Sequence, residues 1–385
     1  MRLTVPRFLA IASGAALGGY VFLVAPHMPG GSLPPATRHA APNGAISVKP
    51  GKKAGVFPPA GKKFVGIMTS DGPYNYGTLD KFTAAVGRAP SVYEFSQGWG
   101  VNKFNAGVIN SVAEHGMLPL ISWEPWNYHV GPIVDPLRDY QPAYRLSRII
   151  DGHYDNYIRS WAEGIKALRY TVAIRFAQEM NGFWYPWGVS NGNKPGQYVQ
   201  AWRHVHDIFT QAGATNVIWI WAPNVMWNNS PKLAQFYPGN NYVTWIGLSG
   251  YYGTPGIGNY ESFNEIFGPT ISDLRAFTQK PIIIAETGAT DGSGLMPRWI
   301  KEMFRELPAY QGIIGIVWFE ADDVVDWRVA SYPQAAAAFG AGYASPLYHV
   351  RWSPGMTALL TLSGEVGQVG SARSAARNAA YFRRP

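Results

Sequence analysis

Eight short runs rich in β-branched and aromatic residues recur along the chain, and helix-like stretches fill most of the gaps between them. The runs are Phe64–Thr69, Ser91–Gly98, Leu118–Glu124, Val172–Glu179, Val217–Asn224, Trp245–Tyr252, Pro281–Glu286 and Ile313–Glu320. The helix-like stretches include Leu79–Val86, Val108–His115, Tyr154–Leu168, Tyr198–Ala212, Phe263–Thr278 and Met296–Leu307. Strands that alternate with helices pair in parallel through right-handed crossovers. Eight such units between residues 64 and 343 predict an α/β fold closed as a (β/α)8 barrel. No Gly-x-Gly-x-x-Gly or Walker-type loop follows the first run, which removes the main reason to prefer an open doubly-wound sheet.

Composition narrows the chemistry. None of the 385 residues is Cys, so a disulfide scaffold, a thiol nucleophile and a Cys-ligated metal are excluded. The net charge of +8 resides at the ends: residues 1–63 hold eight Lys/Arg and no Asp/Glu, and residues 344–385 hold five Arg against Glu365. The span between carries 19 basic and 23 acidic residues, the reverse of what a nucleic-acid enzyme concentrates on its folded body. Within residues 1–25, Arg2 and Arg7 precede an apolar run, Phe8–Ala25, that reads as a secretory signal or a membrane anchor; either places the body outside the cytoplasm. Residues 26–63 have the Pro/Gly-rich basic composition of a linker. Residues 344–385 form a basic extension, read as a surface helix or a tail. A monomer is expected.

In a (β/α)8 barrel the working residues lie at the C-terminal strand ends. Those ends supply Asp71, Glu94, Trp99, Glu124, Trp126, Gln178, Glu179 and Asn181, with Trp184 and Trp187 just beyond. The later strands supply Trp221, Asn224, Tyr251, Tyr252, Glu286, Trp318, Glu320 and Asp322. Carboxylates among aromatic rings suit a neutral, hydroxyl-rich ligand: a sugar offers C–H faces to Trp and hydroxyl edges to Glu, Asn and Tyr. Strands four and seven face each other across an eight-stranded ring, so Glu179 and Glu286 can flank one glycosidic bond. Arg175, Ala177 and Glu179 share parity on strand four. Arg175 then either supplies positive charge that keeps a carboxylate at the mouth ionised or belongs with Glu179 to a buried ion-pair network. Glu94 and Glu124 are open to substrate contact or to pairing with a barrel arginine. Glu320 and Asp322 can meet a sugar hydroxyl, a cation or solvent. The eight His residues form no metal pattern; His204 and His206 fall on different helix faces. Ser70, Ser96 and Ser122 lack a Gly-x-Ser-x-Gly elbow and a poised His, which argues against a serine hydrolase. No metal or cofactor is expected.

The stretch Ile-Arg-Phe-Ala-Gln178-Glu179-Met-Asn-Gly-Phe-Trp184-Tyr-Pro-Trp187 resembles the acid/base signature of glycoside hydrolase family 26. Ile-Ile-Ile-Ala-Glu286-Thr-Gly resembles that family's nucleophile strand, and Trp318-Phe-Glu, Asp326-Trp-Arg and Ser331-Tyr-Pro-Gln extend the likeness over about residues 64–340. The resemblance implies a retaining endo-glycosidase acting on a β-linked glucan or mannan, with Glu179 as proton donor and Glu286 as nucleophile. It further implies that Tyr251 or Tyr252 bonds the nucleophile and that Trp184 and Trp318 wall the cleaved bond. Trp123, Glu124, Trp126, Arg175, Gln178, Trp187 and Asn224 complete the expected substrate-binding set. The family usually has His where this chain has Gln178, and the Trp123-Glu124-Pro125-Trp126 strand looks more like the glucanase members. On this reading Glu179 has a raised pKa and the two carboxyl groups lie roughly 5–5.5 Å apart. A barrel that only binds glycan, and a transglycosylase, are the alternatives.

Overall fold

The computed structural model describes residues 56–129, 140–188, 192–254, 259–323 and 325–358. The eight runs form one closed parallel barrel in chain order. Its strands are β1 (Phe64–Thr69), β2 (Val92–Gly98), β3 (Leu118–Glu124), β4 (Val172–Phe176), β5 (Val217–Trp221), β6 (Trp245–Tyr252), β7 (Ile282–Ala289) and β8 (Ile313–Glu320). The ring closes where β8 pairs with β1 from Phe64↔Gly315 to Thr69↔Glu320.

Helices α1 (Gly77–Val86), α2 (Ala106–Glu114), α3 (Leu146–Ile150), α4 (Asp155–Leu168), α5 (Pro195–Ala212), α6 (Phe263–Arg275), α7 (Met296–Glu306) and α8 (Pro333–Tyr343) surround it. Each buries one stripe: α4 turns Ile158, Trp161, Ala162 and Ile165 inward, an i, i+3, i+4, i+7 pattern. A capping box opens α6, where the Ser262 hydroxyl accepts from the Glu265 N–H and the Glu265 carboxylate accepts from the Ser262 N–H. Between β5 and β6 the crossover carries only a 3-10 turn, Leu233–Phe236.

The packed body reaches past residues 64 and 343. Val56–Phe57 pairs in parallel with Thr357–Ala358, and the buried Phe57 ring stacks on Phe64 at 5.5 Å, plugging the N-terminal end of the barrel. Tyr348 and Trp352 are buried too, Tyr348 against Phe304 and Trp352 against Tyr170. Among the described residues no helix is long and apolar enough to cross a membrane. Phe8–Ala25, most of the linker and the end of the basic extension lie outside the described residues.

Candidate active site

Strand β4 stops at Phe176, three residues short of Glu179. Ala177 and Glu179 take φ of 44° and 55°, in the left-handed region that side-chain-bearing residues rarely occupy. Such a backbone persists only where its surroundings over-determine it. Here the Ala177 N–H donates to the Trp123 carbonyl at 3.2 Å and the Glu179 N–H to the Ala222 carbonyl at 2.6 Å. Tyr198 Oη donates to the Ala177 carbonyl at 3.1 Å, and Trp187 Nε1 donates to the Gln178 carbonyl at 2.6 Å. The turn then brings Trp184 back over Gly182. A Cβ on Gly182 would stand 2.5 Å from the Trp184 ring, so only glycine lets that ring lie there. From this position Trp184 Nε1 donates to Glu179 Oε2 at 2.7 Å.

The other oxygen of Glu179 is oriented from β5. Asn181 and Asn224 exchange two hydrogen bonds of 2.9 Å each, side chain to backbone, and Asn224 Nδ2 donates to Glu179 Oε1 at 3.1 Å. Across the barrel the register of β6 against β7 shifts after Leu248, so Ser249 pairs with Glu286 and Ala285 is skipped. A bulge of this kind re-aims a side chain at a site. Tyr251 Oη donates to Glu286 Oε1 at 2.5 Å, and Arg175 Nη1 donates to Glu286 Oε2 at 2.5 Å.

Arg175 is the hub. It is fully buried and touches three buried carboxylates: Glu286, Glu94 at 3.0 Å and Glu179 at 3.8 Å. Its Nη2 also donates to Ser249 Oγ, and Ser122 Oγ donates to Glu94 Oε1 at 2.6 Å. Three full negative charges around one guanidinium in a dry site would be costly, so protons are retained there. Burial, reinforced by the Glu286 charge and opposed by Arg175, pushes Glu179 up to about 7. Burial, opposed by Arg175, likewise pushes Glu94 up to about 7. Because Glu94 and Glu179 share Arg175, their protons titrate as a joint property.

Glu124 plays a different part. It accepts from Gln178 Nε2 at 2.7 Å, Trp126 Nε1 at 2.9 Å and Ser96 Oγ at 3.2 Å, which fixes the orientation of the Gln178 amide. Gln178 Oε1 is left buried with no hydrogen-bond partner among the described residues.

Several expected contacts are corrected by side-chain parity. Glu124 turns inward, so its neighbour Trp123 turns outward and is buried against Trp99, Tyr157, Trp161, Phe176 and Phe209. Trp318 likewise packs on Trp299 of α7 and Phe339 of α8, with its Nε1 donating to the Trp327 carbonyl, and walls no cleft. Of the two tyrosines, Tyr251 bonds Glu286; Tyr252 leans on Tyr260 and Trp299, with Ser293 Oγ 3.2 Å from its Oη. Trp187 stacks on Tyr185 at 4.3 Å and Trp126 packs edge-on against both, so these rings buttress the β4 loop. Glu320 is spent on the Val329 and Ala330 N–H groups, Asp322 pairs with Arg328, and Asp71 accepts from Thr78 at the start of α1. Among the described residues no group of side chains has the makings of a metal site.

Sequence reasoning passed over Trp327, tilted against Tyr251 at 4.7 Å, and Trp227, 5.8 Å from Trp184. Trp327 stands in the Asp326-Trp-Arg motif, but periodicity assigns a loop residue to no face. Trp318→Phe is expected to lower stability by about 1–3 kcal/mol in urea unfolding and to leave KM unchanged. A raised KM with intact stability would place Trp318 in the cleft after all.

The buried acids also set a pH dependence of stability. Glu94, Glu179 and Glu320 are all raised to about 7, the last by burial against the N–H donors of Ala330 and Val329. Each binds its proton more tightly folded than unfolded. Their contribution is therefore complete below the ordinary value of about 4.3 and is lost as pH rises through about 7. The urea midpoint should fall between about pH 5 and pH 8, by at least about 2 kcal/mol in stability. A midpoint that climbs over that window would show these acids to be ionised in the fold.

The parallel (β/α)8 barrel thus holds two glutamates, Glu179 just beyond β4 and Glu286 within β7, around one arginine. The chain belongs to glycosyl hydrolase family 26, whose model matches residues 70–322. It is similar to endoglucanase H of Acetivibrio thermocellus, 34% identical over 256 residues, which cover 63% of this chain and 27% of that protein. It is also similar to the mannan endo-1,4-beta-mannosidase of Bacillus subtilis strain 168, 25% identical over 73% of this chain and 78% of that protein. The modular endo-beta-1,4-mannanase of Cellulomonas fimi shares the fold, with a TM-score of 0.57 at 18% identity over 76% of this chain and 72% of that one.

Proposed function

We propose that this chain is a retaining endo-glycosidase that cleaves a β-1,4-containing glucan by double displacement. The observation that carries the reading is the unequal pair: Glu179 is held where its proton is retained, while both oxygens of Glu286 face donors, Arg175 and Tyr251. In the first step Glu286 attacks the anomeric carbon as the glycosidic C–O bond breaks, and the Glu179 proton passes to the leaving oxygen. In the second, Glu179, now a carboxylate, takes a proton from water. That water oxygen attacks the same carbon and releases Glu286. Arg175 and Tyr251 follow the nucleophile's charge as it is neutralised and restored.

Trp184 and Trp227 offer ring faces beside the acid, and Gln178 Oε1 offers an unused acceptor for a sugar hydroxyl. Gluco- and manno-configured rings differ at the 2-hydroxyl, so a few such bonds decide between them. The 34% identity with an endoglucanase over 256 residues favours glucan. Both glutamates and Arg175 belong to one chain, so a monomer is complete. A polymer substrate suits a body carried outside the cytoplasm, secreted or tethered by Phe8–Ala25.

The test is reducing-end release from mixed-linkage glucan, glucomannan, galactomannan, linear mannan and β-1,3-xylan, with Glu286→Ala as blank. Release from mixed-linkage glucan above the others is expected. Preferential release from mannan would overturn the glucan assignment, and transfer to an added acceptor sugar in place of water would make the chain a transglycosylase.

A further inference from the structure

A second concave surface lies at the opposite end of the barrel from the glutamates. It encloses about 720 Å³ and is lined around the starts of β2 and β3 by Arg88, Ser91 and His115, and on the other side by His349, Arg351 and Trp352. The lining contains no Asp or Glu. Arg88 is held in place there: its guanidinium lies over the Tyr343 ring at 5.2 Å and donates to His349 Nε2 at 2.6 Å. Among the described residues neither Arg88 nor Arg351 makes an ion pair with a carboxylate. Glu114 stands exposed at the end of α2 next to His115, outside the lining. A fixed guanidinium in a concave site without a counter-charge is arranged for an anion.

The chain ends converge at the same place. Val56–Phe57 and Thr357–Ala358 pair beneath the barrel, and Thr171 Oγ1, just before β4, donates to the Met356 carbonyl. In sequence, residues 1–55 ahead of Val56 hold six Lys/Arg and no acid, and residues 359–385 after Ala358 hold four Arg against Glu365. The groove and the two points at which these basic segments join the described body, Val56 and Ala358, therefore share one face, while the glutamates share the other.

We propose that this face is a docking surface for an anionic phospholipid bilayer, with lipid phosphates seated in the groove at Arg88 and Arg351 and the catalytic mouth turned away from the membrane. The orientation rests on the extracytoplasmic glycosidase reading; the lipid contact does not.

The test is co-sedimentation of the full chain with phosphatidylcholine vesicles, with and without phosphatidylglycerol, for the native protein and Arg88→Gln/Arg351→Gln. Neutral vesicles report the apolar segment alone. Phosphatidylglycerol is expected to strengthen binding, and the double substitution to remove roughly thirtyfold of that gain, about fivefold per basic residue at a membrane surface. Hydrolysis of a soluble glycan should be unchanged in the variant, which shows it folded. Should the variant bind anionic vesicles as well as the native chain, the groove is not the contact and the proposal fails. Groove-dependent binding of soluble polyphosphate with indifference to anionic vesicles would also overturn it, by making the partner a soluble polyanion. Loss of hydrolysis by the native chain with vesicle binding intact would remove the glycosidase reading and leave the docking surface standing.

Discussion

Alanine at Glu286 will lower kcat on polysaccharide by about 10⁴-fold or more, the scale seen when a covalent nucleophile is removed from an acting unit. The loss should be chemical and not structural, because the truncation removes one of three acids competing for Arg175. With Glu286 absent the guanidinium still faces Glu94 and Glu179, so the urea midpoint should hold or rise. Azide supplied to this variant with an activated aryl glycoside should restore turnover by attacking from the vacated side. The product is then a glycosyl azide of inverted configuration, with Glu179 protonating the departing oxygen. Retained configuration in that product would mean that another group had taken the nucleophile's place.

Methionine at Arg175 should give the largest loss of stability in the molecule. The substitution keeps much of the volume and leaves Glu94, Glu179 and Glu286 buried together with no cation. Breaking a buried pair from one side typically costs about 3–5 kcal/mol, because the remaining charge is left uncompensated. The loss should shrink as pH is lowered toward about 5, where the stranded carboxylates take up protons. Activity should vanish at every pH, since Glu286 loses the guanidinium that holds its Oε2 and orients it. Arg175→Lys restores a charge without the fork, and is expected to recover part of the stability but little of the rate. Equal urea midpoints for Arg175→Met and the native chain would remove the arginine from the centre of the site.

The barrel was legible because a half-buried strand and an amphipathic helix leave different periods in sequence. The runs read at Leu118–Glu124, Trp245–Tyr252 and Ile313–Glu320 have the bounds that the strands adopt. The ends that carry chemistry were less legible. Val172–Glu179 and Val217–Asn224 read as strands throughout, yet β4 leaves the sheet at Phe176 and β5 at Trp221. Nothing in composition marks Ala177 and Glu179 as left-handed; tertiary bonds from Trp123, Ala222 and Tyr198 impose that conformation. Glu179 thus reaches the mouth through a strained turn and not through strand parity. Tryptophan misled in another way. A strand-end Trp suggests a sugar platform, but at Trp123 and Trp318 strict alternation beside Glu124 and Phe319 sends the ring into the helix layer. The ion-pair network around Arg175 and its supply of positive charge to a carboxylate at the mouth, posed as alternatives from sequence, are one arrangement here. Glu94 pairs with the same guanidinium that holds Glu286.

The most direct test is the configuration of the first sugar released, followed by ¹H NMR before mutarotation, on mixed-linkage glucan or on whichever polymer of the panel the chain cleaves. Glu179 and Glu286 acting as acid and nucleophile give a β-anomer first, with the α-anomer appearing only as the sugar equilibrates. An α-anomer at the outset would mean that water attacks directly, and that Glu286 activates it as a base instead of bonding to the sugar.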